Sequence, residues 1–188
     1  MELSVKSRRN VSAGKVFVFL LLILLVTACG RQAAKSGNSI MITQPEEQAK
    51  VFGDILTVTR NAVPEAVQAD SLAFLILPVQ ASCPACRKKA IDSIVKHRDA
   101  LPHNRFIVIS ARGGYKTINS YFREQGAELP VVEGRLFLDS SNRGFKYDLF
   151  YDKPMIYYTA NKRVYKKIEV IPATVKENLH GFFSGIAE

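Results

Sequence analysis

Long apolar runs are nearly missing from this 188-residue chain, tryptophan is absent, and cysteine and histidine occur only three times each. The longest apolar run, Val16 to Val26, has 11 residues; a membrane-spanning helix needs about 20. A closed zinc site needs four ligands, and the cysteines offer one close pair, Cys83 and Cys86, with no second pair to match it. Internal repeats are lacking, and no motif for nucleic-acid recognition is present. What remains, 47% apolar and 23% charged residues, suits one domain with a core of its own.

The first 28 residues have the layout of an export signal rather than of a folded element. Lys6, Arg8, Arg9 and Lys15 form a basic start, Val16 to Val26 the apolar stretch, and Val26-Thr27-Ala28-Cys29 resembles a lipobox, with Cys29 as the residue that would carry lipid. An uncleaved signal anchor would hold the domain at the same membrane, facing the same compartment. Either way the chain is expected outside the cytoplasm, with the membrane as a partner through its anchor and no access to nucleic acid. Removing residues 1–28, with four basic residues and one acidic, lowers the net charge from +9 to +6. That moderate excess suits anionic headgroups or acidic partners, or is simply a solvated face.

Residues 29–44 are small and polar and read as a flexible tether; the domain is expected over 45–188. Pro45, Glu46 and Glu47 open a helix with Val51, Ile55 and Leu56 on one face. Ser71 to Val79 is a nearly continuous apolar run, as expected of a strand buried on both faces. A helix starts at Pro84, with Ala90, Ile91, Ile94 and Val95 on its inner face. Arg105 to Ser110 is a second buried strand and Tyr115 to Gln125 a further helix, ended near Gly126. This order predicts a right-handed parallel crossover. A short strand at Val131 to Phe137, a short helix through Phe145 to Phe150, a hairpin of Met155–Thr159 with Val164–Val170, and a last helix from Ala173 to Phe183 complete an α/β chain.

Cys83-Pro84-Ala85-Cys86 falls where a buried strand gives way to a helix. A helix start offers unpaired N–H groups and a partial positive charge. Cys83 at the N-cap, with Pro84 in the first helical position, would have its thiolate stabilised, and cysteines so placed become nucleophiles near neutral pH. Arg87, Lys88 and Lys89 push the same way unless they point into water. Cys86, one turn on, would be shielded and suited to resolving a mixed disulfide. An attacking thiolate and a second thiol to release the product are the two parts that thiol exchange requires. An inert staple is the alternative, although a two-residue loop removes little chain entropy. A copper or zinc site is the other rival: the same two sulfurs could carry copper(I), with or without a histidine, and only His97, His103 and His180 are at hand as nitrogen ligands, each read more readily as a surface residue.

With strand, Cys-Pro-Ala-Cys and basic helix in sequence, the stretch from Ser71 to Val170 resembles the membrane-tethered thioredoxin-like thiol-disulfide oxidoreductases, a group that includes the reductants of cytochrome c maturation. The resemblance implies a thioredoxin-like fold, with a central mixed sheet flanked by helices, acting on protein thiols and disulfides without a cofactor and coupled to a membrane electron donor or acceptor. It further implies a cis-proline opposite the cysteines, just before a sheet strand, whose ring packs near the sulfurs and whose preceding residue pairs with an extended substrate. Pro154 in Lys153-Pro154-Met155 matches that position, with Pro130 as the competitor; either could be an ordinary trans proline at a strand start.

The chain departs from that group in several places. Ser82 stands where the group often has tryptophan, no acidic residue lies in Leu72 to Val79, and the last hairpin turns on Asn161-Lys162 rather than Asp-Gly. A peroxidase reading fails on spacing, since the positions three and seven before Cys83 are Gln80 and Ile76, and before Cys86 they are Cys83 and Val79. Three readings follow: an exchange enzyme with Cys83 attacking, Cys86 resolving and Pro154 shaping the peptide groove; a module handling copper or zinc; and a scaffold whose cysteine pair is only structural.

Overall fold

The computed structural model describes residues 38–185; the signal, Cys29 and most of the expected tether lie outside them. Six strands form one sheet: β1 (Ser39–Met41), β2 (Leu72–Pro78), β3 (Arg105–Ser110), β4 (Leu136–Asp139), β5 (Met155–Ala160) and β6 (Arg163–Glu169), in the spatial order β1-β6-β5-β2-β3-β4. The helices are α1 (Pro45–Val58), α2 (Pro84–His97), α3 (Gly114–Glu124), α4 (Arg143–Lys146) and α5 (Val175–Ser184). β2 pairs parallel with β3, and β3 with β4, while β2–β5 and β5–β6 are antiparallel. This is the mixed sheet of a thioredoxin-like fold.

β2 sits at the centre because every one of its residues is apolar and every one is buried. Side chains alternate across a strand, so Ala73, Leu75 and Leu77 face the layer of α2, α3 and α5, where they meet Ile91, Ile94, Ile118, Phe122 and Phe182. Phe74 and Ile76 face the opposite layer, against Phe52 and Ile55 of α1. The buried face of α1 is Phe52, Ile55 and Val58, a spacing of three that is rotated from the expected stripe. Val51 and Leu56 pack only partly against it.

Arg105 opens β3 fully buried, its Nε donating to the carbonyl of Phe182 at 3.0 Å. A cation near a helix C-terminus complements the carbonyls there, while burial lowers its proton affinity.

Four expectations need correction. Ser39–Met41, placed in the tether, is a strand paired with β6, and the next residue, Ile42, is buried. Three residues carry no readable period; the free edge of β6 and the pocket for Ile42 are what order them. β4 begins at Leu136 rather than Val131, which is 90% exposed. Gly134, at φ 66°, makes a turn there in which Arg135 N–H donates to Val132 at 3.1 Å, and the register with β3 starts only beyond it. The short helix covers Arg143–Lys146 rather than Phe145–Phe150. Its start is drawn back to Asp139, whose buried carboxylate accepts from Arg143 and Gly144 N–H at 2.9 and 2.8 Å and from the Ser110 hydroxyl at 2.7 Å. Finally, every described peptide bond is trans, so Pro154 is not cis. Trans is the lower-energy form by about 0.5–1 kcal/mol for a bond to proline, and the residues on either side are already tied down, as described below.

Candidate active site

Cys83 is the N-cap of α2, in extended conformation, with Pro84 following inside the first turn. Its sulfur is joined to that of Cys86 in a disulfide and accepts the Cys86 N–H at 3.1 Å. The two residues differ in access: Cys83 is 8% exposed and Cys86 0%. No acidic residue stands in the first turn of α2, so nothing on the helix itself offsets the positive end that Cys83 faces. The bridge spans an N-cap and the first helical turn.

The cysteine loop is fastened on two sides. Gln80 makes a reciprocal pair with the backbone of Arg112, Nε2 to its carbonyl at 3.1 Å and Oε1 from its N–H at 2.9 Å. Ser82 N–H donates to the carbonyl of Asp152 at 2.8 Å, and the Ser82 hydroxyl donates to the Asp152 carboxylate at 2.6 Å. Arg87, half-buried, does not point into water. Its Nη1 donates to Ala81 at 3.3 Å and its guanidinium lies 4.7 Å from the centre of the Tyr121 ring, a cation–π pair that holds positive charge beside the loop.

Ile76 stands opposite Met155 in the β2–β5 ladder, so Pro154, one residue earlier, is at the sheet end from which the cysteine loop springs. It is buried, and its carbonyl accepts from Val170 N–H at 2.8 Å. Lys153 is bonded to Glu169, which holds its ammonium above the ordinary amine range, and lies 3.9 Å from Asp152. Pro130 precedes β4, at the opposite end of the parallel strands, and does not meet the cysteines. The structure thus brings Cys83, Cys86 and the Pro154 segment to one end of the sheet.

Two cavities flank Phe150-Tyr151-Asp152. One, of about 300 Å³, is lined by Gln80, Ala81, Arg112 and Phe145 among others, and the other, of about 410 Å³, by Ile40, Lys153 and Met155. Tyr151, between them, is 82% exposed. The Tyr151 ring thus stands in water with a hollow on each side, one residue before the Asp152 that fastens Ser82.

The histidines are not brought to the cysteines. His97 ends α2, about 20 Å along the helix from Cys83, stacked 5.0 Å from Phe183 in a cleft it shares with His180. Burial, then the charges of Lys96 and His180, lower its proton affinity. His103 is exposed in the loop before β3. Among the described residues no cluster of three or more histidine, cysteine or carboxylate side chains could hold a metal ion, and no helix is long and apolar enough to cross a membrane. Asp152 escapes a reading of sequence, because only the strand register brings it to Ser82.

No protein-family model matches the chain, and no curated protein matches it. Among solved structures, it is similar to a secreted Mycobacterium tuberculosis disulfide oxidoreductase homologous to E. coli DsbE, at 13% identity and TM-score 0.42, covering 64% of this chain and 85% of that one. It is similar also to a candidate thiol:disulfide interchange protein DsbE from Chlorobium tepidum, at 8% identity and TM-score 0.40, covering 65% and 84%.

Proposed function

We propose that this chain is a thiol-disulfide oxidoreductase that acts on protein thiols and disulfides outside the cytoplasm, lipid-anchored at Cys29 and coupled to an electron donor or acceptor at the membrane. The observation that carries this reading is the asymmetry of the pair: Cys83 capping a helix and keeping 8% of its surface exposed, bonded to a fully buried Cys86. In the reducing direction, the Cys83 thiolate attacks one sulfur of a substrate disulfide, a Cys83–substrate disulfide forms, and the other substrate sulfur leaves as a thiolate. Cys86, losing its proton, then attacks Cys83 Sγ; the Cys83–Cys86 bond closes and the second substrate thiol departs. Two electrons have passed to the substrate, and the same steps reversed oxidise a dithiol. The exchange needs no cofactor beyond the two sulfurs. Pro154 and the segment before it form the side of the groove against which a substrate strand would lie.

The test is equilibration of the domain with reduced and oxidised glutathione, with free thiols counted. Reversible titration with a two-electron slope supports the reading; a pair that stays oxidised or reduced across the whole glutathione range overturns it.

A further inference from the structure

Asp152 is the acidic group that reaches the cysteine loop, and it does so twice, through its carbonyl on Ser82 N–H and through its carboxylate on the Ser82 hydroxyl. Ser82 is bonded directly to Cys83, so the carboxylate lies within about one Debye length, 10 Å at 0.1 M salt, of the Cys83 sulfur. Other charges stand at this end: Asp139, buried at the end of β4, is taken up by Ser110 and the start of α4, and Lys88 on α2 is paired with Asp92. Lys153 lies 3.9 Å from Asp152 but is bonded to Glu169, so two carboxylates share one ammonium. Arg87 is committed to Ala81 and the Tyr121 ring, and Arg112 lines the cavity on the far side of Gln80. The helix start and Arg87 therefore favour a Cys83 thiolate, and Asp152 opposes them.

Resting on the exchange function proposed above, we infer that Asp152 is a positioning residue that limits the thiolate character of Cys83 and thereby makes the pair a stronger reductant. A negative charge beside the sulfur raises the free energy of the thiolate but leaves the neutral disulfide untouched. Reduction is then less favourable, and electrons held by the dithiol pass more readily to a substrate. The hydrogen bond from Ser82 fixes the carboxylate where this field acts. It also ties the cysteine loop to the segment before Pro154, so a substrate that displaces Asp152 would release the restraint as it binds.

Asp152→Asn removes the charge and keeps an oxygen for the Ser82 hydroxyl. Unit charges at this separation and an intermediate dielectric interact enough to change an equilibrium about threefold to tenfold. Two readouts follow for the fully reduced full-length protein. Alkylation of Cys83 by iodoacetamide near pH 6, located by mass spectrometry, should be about threefold to tenfold faster in Asp152→Asn, with the whole pH profile moved to lower pH. The equilibrium constant for protein dithiol plus oxidised glutathione giving protein disulfide plus two reduced glutathione should fall by a similar factor. Asp152→Glu should restore both. If Asp152→Asn does not fold, Asp152→Ser, whose hydroxyl can accept from Ser82, is read in the same way. Wild-type pH profile and equilibrium constant in the neutral variant overturn the inference while leaving the exchange function standing; a wild-type pair that never titrates reversibly overturns the function itself.

Discussion

The backbone N–H of Cys86 points at the sulfur of Cys83 across 3.1 Å, so the amide that closes the first turn of α2 already serves the sulfur that a thiolate would charge. Charge-assisted bonds of this kind are about twice as strong as neutral ones, and the bond should shorten on reduction. With Cys86 sealed, alkylation of the reduced pair should fall on Cys83 at least about tenfold faster, since thiol reactivity follows exposure and thiolate character. Cys83→Ser should abolish exchange, and Cys86→Ser should accumulate substrate–Cys83 adducts visible on non-reducing gels. Equal labelling of both sulfurs would refute the assignment of roles.

Asp139 should matter for stability rather than for exchange. It is 3% exposed and accepts from Ser110 and from two N–H groups of α4. Asp139→Ala leaves the buried Gly144 N–H and the partly buried Arg143 N–H without their acceptor, while the Ser110 hydroxyl keeps Asn142 Oδ1 at 3.1 Å; at about 1–3 kcal/mol for a buried unpaired donor, a loss of about 2–3 kcal/mol in urea unfolding is expected. Gly144→Ala tests the neighbouring packing. A Cβ there would stand 2.7 Å from the Phe150 ring, so a loss of about 1–3 kcal/mol is expected, with the larger cavity wall disturbed as Phe150 moves.

Tyr157 sets an alkaline limit. Its phenol is buried, donates to the Leu149 carbonyl, and is held by burial well above the ordinary tyrosine range. A folded-state value raised above the unfolded one means that the contribution is complete below about pH 10 and is lost as pH climbs past it, because the unfolded chain ionises first. Urea midpoints should therefore fall above pH 10. Tyr157→Phe should be less stable at pH 7 by about 1 kcal/mol, with a shallower decline on the alkaline side. Parallel pH curves for the two proteins would contradict this.

The corrected boundary of the domain can be tested by truncation. Ile42 is 4% exposed, and burying such a side chain contributes about 1.5–3 kcal/mol. A domain starting at Pro45 should therefore melt several degrees below one starting at Asn38, a difference that differential scanning calorimetry would measure. Coincident melting would return residues 39–44 to the tether.

The elements legible in the sequence are those whose own composition sets their position. β2 is seven apolar residues, all buried, and only the middle of a covered sheet accommodates that. The N-cap at Cys83 follows from Pro84 and the helical period after it. β1 and Asp152 are of another kind. Ser39–Met41 is ordered by the edge of β6, and Asp152 finds Ser82 across 70 residues of chain, only because Ile76 falls opposite Met155. Register between distant strands has no local signature, and a carboxylate outside β2 gives no hint that it will reach the loop following that strand.

β1 and β5 are both antiparallel to β6, so they run in the same direction, and Ser39 begins β1 at the sheet end that carries Met155, Pro154 and the cysteine loop. The described chain therefore enters the sheet at the end that carries the disulfide, with β6 and β5 between β1 and β2. In the lipid-anchored form proposed here, eight residues lie between Cys29 and Asn38, a leash of at most about 30 Å when fully extended. Such a short leash would keep the domain close to the bilayer and favour exchange with proteins that work near its surface over those in the wider compartment.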